Sequence, residues 1–288
     1  MNPALTRQQF HPFLRSCPVL ETDKVFAGSI PEIYDRYLAP LIFESYAFDL
    51  AQRIALTDPT TVLETAAGTG VLTRAIASRL PEYARIVATD LNQQMLERAK
   101  ARQYHNDRIE WKQSDALLLP FADQRFDVVA CQFGVMFFPD KVQGYEEAHR
   151  VLKPGGRFIF NVWDRISENE FADTVTEALA ALFPHAPPRF LARTPHGYHD
   201  IESVRADLSA AGFANISVDT VNHISKASSP LDPAIAYCQG TPLRNEIQVR
   251  GTSYLEDATK RAAEALTNRF GAGEIEGRIR AFAITVIR

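Results

Sequence analysis

The residues best placed to do chemistry are the run Glu64-Thr65-Ala66-Ala67-Gly68-Thr69-Gly70 and, twenty positions past Gly70, Asp90. The run joins an apolar strand-like stretch, TVLET, to a helix-like one, GVLTRAIASRL. Small side chains let a ligand lie against the backbone, and a helix N-terminus offers unpaired N–H groups to an anionic group. Asp90 closes the next strand, ARIVATD, where a carboxylate can accept from both hydroxyls of a ribose. Together these features point to a nucleoside-containing cofactor, dinucleotide or other. The dinucleotide fingerprint wants glycine at its first, third and sixth positions. Counted from Gly68 the third is Gly70 but the sixth is Thr73, and counted from Ala66 the first is not glycine. Further on, Asp115 stands where the third strand ends, with Ala116 beside it. That carboxylate can accept from an exocyclic amine while a backbone N–H donates to a ring nitrogen. The alternative role for Asp115 is a turn or helix cap.

The elements that must hold these groups alternate in period. Strand-like TVLET, ARIVATD, RIEWKQSD, FDVVACQF and GGRFIFNVW are interleaved with helix-like GVLTRAIASRL, NQQMLERAKAR and KVQGYEEAHRVL. Strands alternating with helices predict a parallel sheet covered on both faces. Upstream, IPEIYDRYLAPLIFESYAFDLAQRIAL predicts a helix interrupted at Pro40, and residues 1–30 read as irregular. Residues 164–199 hold a helix, then a segment with four prolines that reads as a loop or lid. DIESVRADLSAAGF predicts a helix, ANISVDTVNHIS a strand, and GRIRAFAITVIR a final strand. Residues 230–277 form a helical insertion between those last two strands, either a packed cap or a substrate lid.

Bulk composition excludes several classes. The net charge of -4 is mixed along the 288 residues, with no basic block to follow nucleic-acid phosphates. No apolar run is long enough for a membrane span, and the N-terminus lacks a signal-peptide pattern. Cys17, Cys131 and Cys238 are far apart and form no CxxC pair, which suits a reducing cytoplasm.

Four blocks in order, VLETAAGTG, IVATDLNQQML, SDALLLPFADQRFDVVACQFGVMFF and RVLKPGGRFIF, give the chain its resemblance to class I S-adenosylmethionine-dependent methyltransferases. They resemble most the small-molecule branch typified by ubiquinone/menaquinone-biosynthesis methyltransferases. The resemblance implies an α/β, Rossmann-like, seven-stranded, mostly parallel sheet whose last strand enters antiparallel between the fifth and sixth, plus helical caps. It implies one domain over residues 1–288, with its core at about 50–163, 200–224 and 278–288 and a helical lid at 25–49. For the site, it implies that the loop from Glu64 through Ala66, Gly68, Thr69 and Gly70 lines the methionine part of S-adenosylmethionine, which leaves as S-adenosylhomocysteine. Asp90 would hold the ribose, Leu91 and Met95 would pack on adenine, and Asp115 and Ala116 would read its edge. The Gln132 backbone carbonyl would approach the amino group, and Tyr34 or Tyr37 on the lid helix would close over the methionine tail. The family often has aspartate where Glu64 stands and glycine where Ala66 stands.

The reaction so implied is in-line methyl displacement, which positioning can largely drive, so no catalytic residue is assigned. Phe133 and Phe137 are the candidate walls of a pocket for a small hydrophobic or aromatic acceptor. His196 and His199, in TPHGYHD, are the histidines nearest a lid, but a solvated loop is the expected setting; no metal set accompanies them. His149 reads as structural, and His223 is an unplaced strand residue. An NAD-dependent oxidoreductase and a non-catalytic cofactor-binding scaffold remain as alternatives. A homodimer through the helical insertions is conceivable but carries no sequence signature.

Overall fold

The computed structural model describes residues 19–103 and 106–288; Cys17 and residues 1–18 of the irregular N-terminal stretch lie outside them. In chain order the helical lead runs through α1 (Ile30–Ile33), a π-helical segment (Tyr34–Phe43) and α2 (Glu44–Ala55) without a break. The alternating core follows: β1 (Thr61–Glu64), α3 (Val71–Arg79), β2 (Arg85–Asp90), α4 (Gln93–Arg102), β3 (Ile109–Gln113), β4 (Phe126–Gln132), α5 (Lys141–Val151) and β5 (Leu152–Trp163). Then come α6 (Glu170–Leu182), the short α7 (Phe190–Arg193), α8 (Ile201–Ala210) and β6 (Ala214–Ala227). Three helices, α9 (Leu231–Gln239), α10 (Leu243–Val249) and α11 (Tyr254–Phe270), precede β7 (Ile275–Ile287).

The seven strands are ordered β3-β2-β1-β4-β5-β7-β6. The first five are parallel, and β7 runs antiparallel between β5 and β6. This is the Rossmann-like sheet that the resemblance implied. The central strands are apolar throughout because helices cover both faces: Val62, Leu63, Val128, Val129 and Ala130 are fully buried. One face packs on α2 and α3 through Leu50, Ile54, Leu72 and Ile76. The other packs on the aromatic core that reaches the two helical insertions.

Pro40 does not interrupt the lead helix as its sequence predicts. It lacks an N–H and would crowd the carbonyl one turn back in an α-helix. The chain widens instead into π turns, so that the Glu44 N–H donates to the carbonyl of Ala39, five residues back. Carbonyls in this stretch are met by side chains from the sheet: Ser225 donates to Leu41 at 2.7 Å and Gln132 to Phe43 at 2.9 Å. Asp35, buried in the same segment, is ion-paired to Arg98 and Arg102 of α4 at 2.8 and 2.7 Å. The lead helix is thereby fixed against the end of β4, against β6 and against α4.

Candidate active site

The β1–α3 turn is built from left-handed residues: φ is +52° at Ala66, +56° at Gly68 and +77° at Gly70. The two glycines serve different neighbours. A Cβ at Gly68 would meet only Met95 Cε at 3.6 Å and the Tyr34 hydroxyl at 4.0 Å, so the protein leaves room there. A Cβ at Gly70 would lie 2.7 Å from Trp111 and 3.2 Å from Ala99, so that glycine admits close packing against β3 and α4. Ala66 holds a conformation that costs an L-residue roughly 1–2 kcal/mol. Its methyl occupies the space that a Cβ on Gly134 would need.

Asp90 ties this turn to β2. One carboxylate oxygen accepts from the Gly68 N–H at 2.8 Å and the other from the Asn92 N–H at 2.7 Å. Each oxygen keeps a second lone pair for a ligand hydroxyl. Burial raises the carboxyl pKa, and the two N–H donors oppose that shift. Asp115 accepts from the Leu117 N–H at 2.9 Å, the turn-capping role, yet it also borders the cavity described next. The Ala116 N–H makes no hydrogen bond among the described residues.

One cavity collects most of the residues singled out from the sequence. Ala66, Gly68, Asp90, Leu91 and Met95 line it from the β1 and β2 ends. Asp115, Ala116, Gln132, Phe133 and Phe137 line it from the β3 and β4 ends, and Tyr34 from the lead helix. Tyr34 stacks on Phe43 at 5.2 Å; burial, then Asp90 and Asp35, hold its phenol protonated by raising its pKa.

Four of the named residues are not in the lining. Tyr37 lies under the Arg36 guanidinium, 5.1 Å from it. Glu64 sits beneath the turn, accepts from the Thr73 hydroxyl at 2.6 Å, and is pushed up to about 8 by burial. Thr69 is buried with an unpartnered hydroxyl, and Gly70 packs on Trp111.

Most of the far wall comes from residues that the sequence did not mark. Trp163, at the carboxyl end of β5, stacks on Phe133 with ring centres 3.8 Å apart and planes 5° apart. The rule that ligands sit beyond strand ends, which singled out Asp90, would have found it too. Phe190, Leu191, Tyr237 and Thr241, from the two insertions, complete that end together with His196, the histidine placed near a lid from its sequence.

His196 corrects the expectation of a solvated loop: it is 6% exposed, and its Nδ1 lies 2.8 Å from the Asp164 carbonyl oxygen. Burial pushes its pKa down to about 4. His199 points Nδ1 at the His196 carbonyl, 2.7 Å away. His149 meets the ring of Phe213 edge-on and His223 that of Tyr46. Cys131 and Cys238 are buried free thiols, each raised to about 12 by burial. Among the described residues no group of three potential ligands gathers for a metal ion, and no helix is long and apolar enough to cross a membrane.

The strand order, with β7 antiparallel between β5 and β6 and a cavity at the strand ends, gives the chain a Rossmann-like fold of the class I methyltransferase type. Residues 62–156 match the family model described as a methyltransferase domain. Over 164 residues the chain is 32% identical to a demethylmenaquinone methyltransferase of Clavibacter sepedonicus, covering 54% of this chain and 66% of that one. Over 176 residues it is 30% identical to the ubiquinone/menaquinone biosynthesis C-methyltransferase UbiE of Klebsiella pneumoniae, covering 54% and 67%. Among solved structures, the [4+2]-cyclase SpnF superimposes with a TM-score of 0.60 at 16% identity, over 95% of this chain and 98% of that one; this likeness is one of fold. The chain belongs to the S-adenosylmethionine-dependent methyltransferase family and resembles its UbiE members.

Proposed function

We propose that the chain binds S-adenosylmethionine along the ends of β1 to β4 and directs its methyl group, by in-line displacement, to a small hydrophobic or aromatic acceptor. The carrying observation is the two-ended cavity. Its Gly68–Asp90–Ala116 end offers backbone room, a carboxylate with free lone pairs and an unpaired N–H. Its Phe133–Trp163 end is walled by aromatic rings.

The residues present fit the cofactor. Asp90 would accept from the ribose hydroxyls, Leu91 and Met95 would flank the adenine, and Asp115 with the Ala116 N–H would read its edge. The turn at Ala66 to Gly70 and the Gln132 carbonyl would hold the methionine part under Tyr34. Glu64, Thr69 and Tyr37 support that turn and the lid from behind. When bound, the cofactor supplies a methyl group on a positively charged sulfur. The chain's task is then to align the acceptor and keep water out. In this reading residues 25–49, 164–199 and 230–277 close over the core as parts of one domain.

The test is calorimetric titration with S-adenosylmethionine, S-adenosylhomocysteine and NAD, with Asp90→Ala alongside. Micromolar binding of the first two, weakened at least tenfold in the variant, is expected. Binding of NAD alone would return the turn to the dinucleotide class. Cofactor binding without transfer to any acceptor would leave a scaffold.

A further inference from the structure

We propose that His196 is the general base of the reaction, and that the acceptor presents an aromatic hydroxyl whose proton passes to His196 Nε2 as the methyl group arrives. The proposal rests on the methyltransferase reading and deepens it.

The geometry fixes the tautomer. A carbonyl oxygen can only accept, so the Nδ1 that lies 2.8 Å from the Asp164 carbonyl carries the ring proton. Nε2 is then the basic nitrogen. It makes no hydrogen bond among the described residues, and it is not one of their sealed, unpartnered polar atoms. The ring lies 5.9 Å from Trp163 and borders the cavity at its aromatic end. An unprotonated nitrogen therefore faces the space assigned to the acceptor.

The main-chain carbonyl that orients the ring is itself held in place. Asp164 is 2% exposed, and its carboxylate is ion-paired to Arg280. Asn169 donates to the Asp164 carbonyl at 3.4 Å and to that of Arg280 at 3.3 Å. His199 donates to the His196 carbonyl from behind. The other charged groups on the cavity wall are Lys24, Asp90 and Asp115. Burial, the largest influence on the ring, keeps it neutral at physiological pH.

The acceptor class follows from what needs such a base. A neutral amine attacks with its own lone pair. A phenol is a poor nucleophile until its proton leaves. The stacked pair of Phe133 and Trp163, with Phe190, makes a wall of rings at this end, and such a wall suits a flat aromatic body. Tyr237 also borders this end, and burial keeps its phenol protonated, so it can donate to a second oxygen.

In the step, the acceptor O–H breaks and its proton goes to Nε2. The oxygen lone pair forms the O–CH3 bond, and the methyl–sulfur bond breaks with its electrons left on sulfur. Sulfur becomes a neutral thioether and the ring an imidazolium, so one positive charge moves and none is created. The discharge of sulfur removes the charge that would otherwise oppose protonation of the ring. The imidazolium returns its proton to solvent after product leaves.

The experiment compares the wild-type chain with His196→Gln on two phenols: 2-naphthol, protonated at neutral pH, and a polynitrated phenol, already ionised there. S-adenosylhomocysteine affinity and the thermal midpoint are measured on both proteins. The expected result is a loss of about 100-fold or more in kcat on 2-naphthol, recovered as pH rises toward the ionisation of the naphthol, with little loss on the ionised phenol. A merely structural role would lower both substrates alike and leave the pH profile unmoved. Equal losses, no loss, or no transfer to either phenol by a wild-type chain that binds the cofactor would overturn the assignment. Failure of the wild-type chain to bind S-adenosylhomocysteine would instead overturn the methyltransferase reading beneath it.

Discussion

Replacing Gly68 and Gly70 separately by alanine should split cofactor binding from stability. Both positions are left-handed, so each alanine carries a backbone penalty of roughly 1–2 kcal/mol. At Gly68 the added methyl meets nothing closer than 3.6 Å, so the loss of stability should stay near about 1 kcal/mol. The methyl would nonetheless stand between Met95 and Tyr34, in the open part of the cavity. S-adenosylhomocysteine affinity should fall at least about tenfold, or about 1.4 kcal/mol. At Gly70 the methyl would come within 2.7 Å of Trp111. Overpacking of that kind adds about 1–3 kcal/mol, for a total of roughly 2–5 kcal/mol. The folded fraction of that variant should keep most of its affinity. Urea titration followed by tryptophan fluorescence gives the first quantity and calorimetry the second. Normal binding by Gly68→Ala, or a larger binding defect in Gly70→Ala than in Gly68→Ala, would refute the division of labour between the two glycines.

Other perturbations follow from the same geometry. Glu64, pushed up to about 8 by burial, holds its proton in the folded state at pH values where the unfolded chain has released it. Stability should therefore fall as pH rises between about 4.5 and 8, by up to about 1.4 kcal/mol per unit. Glu64→Gln should flatten that slope in denaturant titrations across the range; a slope unchanged in the variant would show that other groups cause it. Asp35→Ala strands Arg98 and Arg102 of α4, and because those arginines are partly exposed the cost should be about 2 kcal/mol, below that of a fully buried pair. Thermal melting at low and high salt checks this. Phe137→Ala should raise the acceptor KM about fivefold while leaving S-adenosylhomocysteine affinity unchanged, since its ring contacts Phe26 and Phe190 and an aromatic edge contact is worth about 1 kcal/mol.

The order of strands and helices was legible because buried parallel strands and amphipathic helices write different periods into the chain. The places of Asp90 and Gly68 at the cavity were legible because both stand where strands end, a position that the alternation itself locates. Pro40 misled, since a proline reads as a break in sequence but a π turn can take it in. Glu64 and Gly70 looked like ligand residues because they share a motif with Gly68. Only side-chain packing distinguishes a residue that lines the cavity from one that supports the turn. Trp163 was missed, and the setting of His196 misjudged, for opposite reasons. Trp163 closes a strand whose pattern was read only as core, while His196 sits in a proline-rich stretch whose composition resembles exposed loop. Its burial is created by contacts with Asp164 and Trp163, distant in sequence, and no local signal encodes them.

The π segment from Tyr34 to Phe43 has a consequence for how this chain tolerates changes in length. In an ordinary α-helix, removing one residue rotates everything beyond it by about 100° and turns an apolar face outward. A π stretch holds more residues per turn than the α pitch needs, so a deletion at exposed Arg36 can be absorbed by tightening of the turns. The flanking faces of α1 and α2 would keep their partners, and the damage would fall on the Gln132 and Ser225 side chains, left without carbonyls to meet. The lead helix is thus a part of the protein whose length can drift by a residue while the sheet beneath it stays in register.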